Sequence, residues 1–196
     1  MFPSHLPIPR RPAAQSIPSL RWGIIGPGWI AERFVHALKT YSRQQVVAVA
    51  SRSQAKAERV AAEWGIPQAY GQVEEMLARP DIDAVYIATP HNHHFPDGMQ
   101  ALKAGKHVLI EKPFALNLGE GRELQAEAAS QGGQALRWEE PRNRYDQLFW
   151  QAEHFAWCIG QGLQDSPLRP LSRVLQNLQV MDEVRRQVGA VFNEER

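Results

Sequence analysis

The chain has 196 residues, 43% of them hydrophobic, with 22 Lys and Arg against 21 Asp and Glu. That length suits one domain with an appendage, and the hydrophobic share allows a packed core. The near-neutral balance argues against the strong basic field of a nucleic-acid binder, and the sequence holds no apolar run of 18 residues to span a membrane.

The first 19 residues carry five prolines and the pair Arg10-Arg11, with no apolar run behind them. They read as a flexible Pro-rich arm over 1–19, neither a signal peptide nor a twin-arginine address. The lone Cys158 falls in an apolar helical pattern, so an inert buried thiol and a reducing, cytoplasmic setting are expected.

A strand over 20–25 runs into Gly26-Pro27-Gly28-Trp29-Ile30-Ala31 and then a helix to about Thr40. Gly26 permits the tight strand-to-helix turn, Gly28 lets backbone approach a pyrophosphate, and Ala31 stands where a third glycine keeps helix and sheet close. The phosphates would meet the N–H groups at the start of the helix, beside Trp29 and Ile30. A second strand over 45–50 ends at Ser51-Arg52-Ser53. An acid at this point would accept from a ribose 2′-OH. Two hydroxyls and a guanidinium suit a 2′-phosphate instead, which favours NADP(H) over NAD(H). The other reading is that Ser53 caps the next helix and Arg52 is solvated.

Ala57, Val60, Ala61 and Trp64 form a helical stripe that Gly65 ends. A short strand over 68–70 and a short helix over 73–78 follow. The run Ala84-Val85-Tyr86-Ile87-Ala88 is apolar throughout, as in a central parallel strand covered on both faces, and Thr89-Pro90 stops it. A helix over 96–104, a strand over 107–110 and a helix to about Ser130 complete the rhythm, the last opened by a capping box of Asn117 and Glu120. The alternation predicts an α/β fold: a doubly wound parallel-sheet Rossmann domain over 20–138.

The ordered set Gly26-Pro27-Gly28-Trp29-Ile30-Ala31, Asp81-Ile82-Asp83-Ala84-Val85-Tyr86-Ile87-Ala88-Thr89-Pro90, His94, Ala104-Gly105-Lys106-His107-Val108 and Glu111-Lys112-Pro113 resembles the glucose–fructose oxidoreductase / inositol dehydrogenase / MocA family. Trp29-Ile30-Ala31, Ser51-Arg52-Ser53 and Thr89-Pro90-His91 resemble its dihydrodiol-dehydrogenase-like branch. The resemblance covers about 20–133. It implies an oxidoreductase passing hydride between a nicotinamide and the hydroxyl or carbonyl carbon of a sugar, polyol or dihydrodiol. It also implies that Lys112, between Glu111 and Pro113, lies beside nicotinamide and substrate, polarising a carbonyl or relaying its proton, often next to a cis peptide. His91 and His94 would belong to the wall of the cofactor site. An ammonium near a developing alkoxide stabilises it in a dry site, which gives the role a physical basis.

The family's large open sheet has no counterpart after Gly133. Residues 134–138 read as a sixth strand and 139–196 as a helical remnant. One stripe there is Tyr145, Leu148, Phe149, Ala152, Phe155, Ala156 and Ile159; another is Leu171, Val174, Leu175, Leu178, Met181, Val184 and Val188. These stripes would pack on the dinucleotide domain or on a second copy in a homo-oligomer. The chain therefore reads as a family oxidoreductase whose turnover the lost sheet impairs. Against this stand a dinucleotide-binding pseudoenzyme or sensor, and an assembly module using exposed helices. His91, His93, His94 and Asp97 sit on what reads as a loop entering a helix, without a distant ligand pair, so no metal is expected. Arg137, Arg142 and Arg144 beside Trp138 and Tyr145 are discounted as a nucleic-acid patch, because no net field supports them.

Overall fold

A computed structural model describes residues 14–130, 135–136 and 148–189. Most of the Pro-rich arm, Tyr145 and the Arg137–Tyr145 cluster lie outside the described residues.

Six parallel strands form one sheet: β1 (Arg21–Ile25), β2 (Gln45–Ala50), β3 (Gln68–Tyr70), β4 (Ala84–Ile87), β5 (His107–Ile110) and β6 (Ala135–Leu136), in the order β3-β2-β1-β4-β5-β6. The order reverses between β1 and β4, which opens a crevice at their carboxyl ends. The helices are α1 (Trp29–Tyr41), α2 (Gln54–Trp64), α3 (Val73–Leu77), α4 (His91–Lys103), α5 (Leu118–Ser130), α6 (Phe149–Gly160) and α7 (Leu171–Val188). They cover both faces, so the central strands are buried on both sides, as the unbroken apolar run of β4 requires.

Register places the site. Ile25 pairs with Ala50 on one side and Ile87 on the other, and Ile87 pairs with Ile110. The four central strands thus end level. The residues that follow them, Gly26, Ser51, Ala88 and Glu111, stand in a row along one edge.

Two apolar clusters hold the layers. On one face Trp22 packs edge-on to Phe34, with ring centroids 5.5 Å apart, and against Phe155 of α6 at 5.4 Å. Its indole N–H donates to the buried Gln44 side chain at 2.9 Å, so the ring is buried without an orphaned donor. On the other face Leu171, Val174 and Leu178 of α7 join Leu124 of α5 and Ile110. The two C-terminal helices therefore dock on opposite faces of the sheet. Ala152, Phe155 and Ala156 spend the α6 stripe on α1 and β1. Only the first half of the α7 stripe is covered: Met181, Val184 and Val188 are exposed.

Three local expectations change. The helix expected over 96–104 starts at His91, with Pro96 inside it. His91, His93 and His94 therefore form its first turn rather than a loop. The capping box is half formed. Asn117 Oδ1 accepts from the Glu120 N–H at 3.0 Å, but the Glu120 carboxylate reaches past Asn117 to the Leu116 N–H. The helix after β3 ends at Leu77 rather than Ala78.

Candidate dinucleotide and hydride-transfer site

The cleft at the carboxyl edge begins with the glycine turn. Gly26 adopts φ +84°, a left-handed conformation that favours glycine. A Cβ there would meet the Thr89 nitrogen at 2.7 Å, so the turn passes directly over the β4 loop. Gly28 differs. Its φ is −106°, open to any residue, and a Cβ would meet nothing of the protein within 4 Å. It would instead fill space at the start of α1, a helix whose N-cap contributes no side-chain hydrogen bond. A helix N-terminus without a side-chain cap, approached over bare backbone, fits a pyrophosphate.

The cleft encloses about 840 Å³ and is lined by Gly26, Gly28, Trp29, Ile30, Ser51, Arg52, Thr89, Pro90, His91, His94, Glu111 and Lys112, among others. The structure thus brings together most of the residues singled out from sequence. Two stand apart. Ser53 is the N-cap of α2 and accepts from the Lys56 N–H at 3.4 Å, which is the capping role. Pro113 lies behind the wall, joined to Lys112 by a cis peptide. Its carbonyl lies 2.6 Å from His94 Nδ1.

His94 is 1% exposed and ties two loops together. Its Nδ1 lies 2.6 Å from the Pro113 carbonyl and its Nε2 2.9 Å from that of Thr89. Burial lowers the His94 pKa, and the two carbonyls oppose that shift. The loop after β4 and the peptide that carries Lys112 are therefore joined through one ring. Thr89 is held again by its hydroxyl, which donates to Asp97 at 2.8 Å. Burial raises the Asp97 pKa against that bond.

Glu111 lines the cleft and is bonded to Tyr86, a partner that the sequence reading did not assign to it. The Tyr86 hydroxyl donates a short hydrogen bond to Glu111 Oε1, and the Lys112 N–H donates to Oε2 at 3.1 Å. Tyr86 is 1% exposed and stacked on Phe34 at 3.8 Å. Burial, then the adjacent Glu111 charge, push its pKa well above the ordinary tyrosine value, so it remains a donor. Lys112 is exposed at the rim.

Lys56 also lines the cleft. It stands four residues after Arg52, in the first turn of the helix capped by Ser53. That spacing was its only signal in the sequence.

Among the described residues no group of three His, Cys, Asp or Glu is arranged to hold a metal. No described helix is long and apolar enough to cross a membrane. Cys158 is a free, buried thiol whose pKa burial pushes up to about 11, which suppresses the reactive thiolate.

Comparison with known proteins agrees with this geometry. The profile of the GFO_IDH_MocA oxidoreductase family, described by its NAD-binding Rossmann fold, matches residues 20–137. The trans-1,2-dihydrobenzene-1,2-diol dehydrogenase of Mus musculus is 47% identical over 116 residues, 58% of this chain and 35% of that protein. The human protein of the same name is 45% identical over 114 residues, 57% and 34%. The chain thus spans about a third of the length of these relatives. Among solved structures, KijD10, a 3-ketoreductase from Actinomadura kijaniata in complex with TDP-benzene and NADP, aligns with a TM-score of 0.58 and 34% identity, over 61% of this chain and 38% of that one. The match over most of the described sheet, together with the glycine turn and the Glu-Lys-Pro peptide on one cleft, shows that this chain belongs to the NAD-binding Rossmann-fold oxidoreductase family.

Proposed function

We propose that the chain carries the cofactor-binding half of an NADP(H)-preferring dehydrogenase acting on a polyol, sugar or dihydrodiol. The observation that carries this reading is the shared cleft. The glycine turn, the Arg52 and Lys56 cations and Lys112 all open onto it. When bound there, a nicotinamide dinucleotide would supply or accept hydride.

The residues would divide the work by position. The start of α1, bared by Gly28, binds the pyrophosphate. Arg52 and Lys56, at the end of β2 and the start of α2, bind the 2′-phosphate, the guanidinium by paired hydrogen bonds. KijD10, which aligns with this chain, is a complex with NADP, which supports that preference. Lys112, at the end of β5, donates to the reacting oxygen and stabilises its negative charge. His94 fixes the Lys112–Pro113 peptide against Thr89. The cytoplasm belongs to the same proposal, through the free buried Cys158.

The exposure of Lys112 favours a second reading for the 196-residue chain taken alone, namely dinucleotide binding with little turnover. Water at the rim weakens an ammonium's hold on a developing alkoxide. A steady-state screen of polyols, sugars and dihydrodiols with NADP⁺, in the native chain and Lys112→Ala, separates the two. Turnover that vanishes in Lys112→Ala supports the dehydrogenase. Binding without turnover in either protein supports the second reading. Turnover unaffected by Lys112→Ala overturns the assignment of Lys112.

A further inference from the structure

We propose that Glu111 reads the charge of the nicotinamide, so that the cleft discriminates between oxidised and reduced cofactor through the Tyr86–Glu111 pair. This rests on the dinucleotide reading of the cleft.

The placement follows from topology. The pyrophosphate belongs to the glycine turn between β1 and α1, and the 2′-position to the end of β2. The adenosine half therefore lies over β2 and β3. The nicotinamide half falls on the other side of the switch point, over the ends of β4 and β5. Glu111 is the residue immediately after β5, level with Ala88 after β4, and it lines the cleft.

The carboxylate is held there. Tyr86 is anchored at 1% exposure by its stack on Phe34 and donates to Oε1 from below. The Lys112 N–H donates to Oε2. Both contacts are donors, which suits an anion that accepts on each oxygen. Among the described residues Glu111 is in no ion pair. The charged and titratable groups around the same end of the cleft are Lys112, His91, His93, His94 and Asp97.

A fixed anion distinguishes the two forms of the cofactor. The oxidised ring is a pyridinium cation and the reduced ring is neutral, while the phosphates are common to both. Glu111 thus lowers the dissociation constant of NADP⁺ relative to NADPH, and the ratio of the two reports the ring charge alone. At a separation of several ångströms in a partly solvated cleft, one unit charge shifts that ratio by roughly five- to tenfold. Tyr86 is the positioning residue, since it holds the anion in place without meeting the ring.

The test is calorimetric titration of the full chain with NADP⁺ and NADPH at low salt, in the native protein, Glu111→Gln, Tyr86→Phe and the exposed control Glu123→Gln. Glu111→Gln is expected to raise the NADP⁺-to-NADPH ratio of dissociation constants by roughly five- to tenfold. Tyr86→Phe should raise it less, and Glu123→Gln not at all. Raising the salt should raise the native ratio and leave that of Glu111→Gln flat. If Glu111→Gln fails to fold, Tyr86→Phe and the native salt dependence carry the test. Equal loss of both affinities, or an unchanged ratio, overturns the inference while leaving dinucleotide binding intact. Failure of the native chain to bind either form overturns the dinucleotide reading as well.

Discussion

Gly26 lies so close to Thr89 that a Cβ on the glycine would stand 2.7 Å from the threonine backbone nitrogen. The turn between β1 and α1 is thereby packed on the loop after β4, and both conformation and space require glycine. Gly26→Ala therefore combines a left-handed alanine with a backbone clash. The strained conformation alone costs about 1–2 kcal/mol. Thermal melts are expected to show a clear loss of stability together with loss of cofactor affinity. A native-like melting temperature would show that the turn relaxes freely.

The cofactor preference rests on Arg52 and Lys56. A charged hydrogen bond of this kind contributes about 1.5–3 kcal/mol, so Arg52→Ala should reduce the preference for NADPH over NADH by roughly 10- to 100-fold. Lys56→Ala should reduce it less, since a single ammonium lacks the guanidinium fork. Dissociation constants for both cofactors in the three proteins check this. An unchanged ratio in Arg52→Ala would mean that the guanidinium is only solvated.

Stability should fall as the pH drops from neutral toward 5. Burial lowers the His107 pKa, against the opposing charge of Asp83. His94 and His154 are lowered by burial too. A base with a lowered folded pKa binds more protons when unfolded, so stability rises with pH through that window and is lost as pH falls below the unfolded value. Urea melts at several pH values should show this slope. His107→Gln should flatten it, and an identical slope in that variant would contradict the assignment.

The outer half of α7 should mediate self-association. Val180, Met181, Val184 and Val188 are 48–69% exposed on one helix, whereas the described part of the α6 stripe packs against the core. Sedimentation at rising concentration is expected to show a dimer that Val184→Lys weakens. A monomer at all concentrations would show that the face tolerates water.

Much of this site was legible because its signals are local. The turn conformation of Gly26, the Ser53 cap and the apolar β4 run each follow from a few adjacent residues. The strand ends then align by sheet register, which places Ser51, Ala88 and Glu111 on one edge. What the sequence hid depends on distant contacts. His94 meets Pro113 across 19 residues, and Tyr86 meets Glu111 across 25. The first turn of α4 was missed because Pro96 resembles a helix start, while the His94 ring in that turn sits between the Thr89 and Pro113 carbonyls, a contact the local sequence does not show. The partial cover of α7 was equally hidden, since its stripe continues past the point where α5 ends its support.

Whether a dinucleotide lies over Gly28 is decided by one titration. NADPH is added to the native chain and to Gly28→Val, with circular dichroism confirming the fold of each. Because a side chain at position 28 meets no protein atom within 4 Å, the variant should fold as the native chain does. Saturable binding is expected in the native protein and none in the folded variant. Equal affinity in the two, or no binding by the native chain, would contradict that placement.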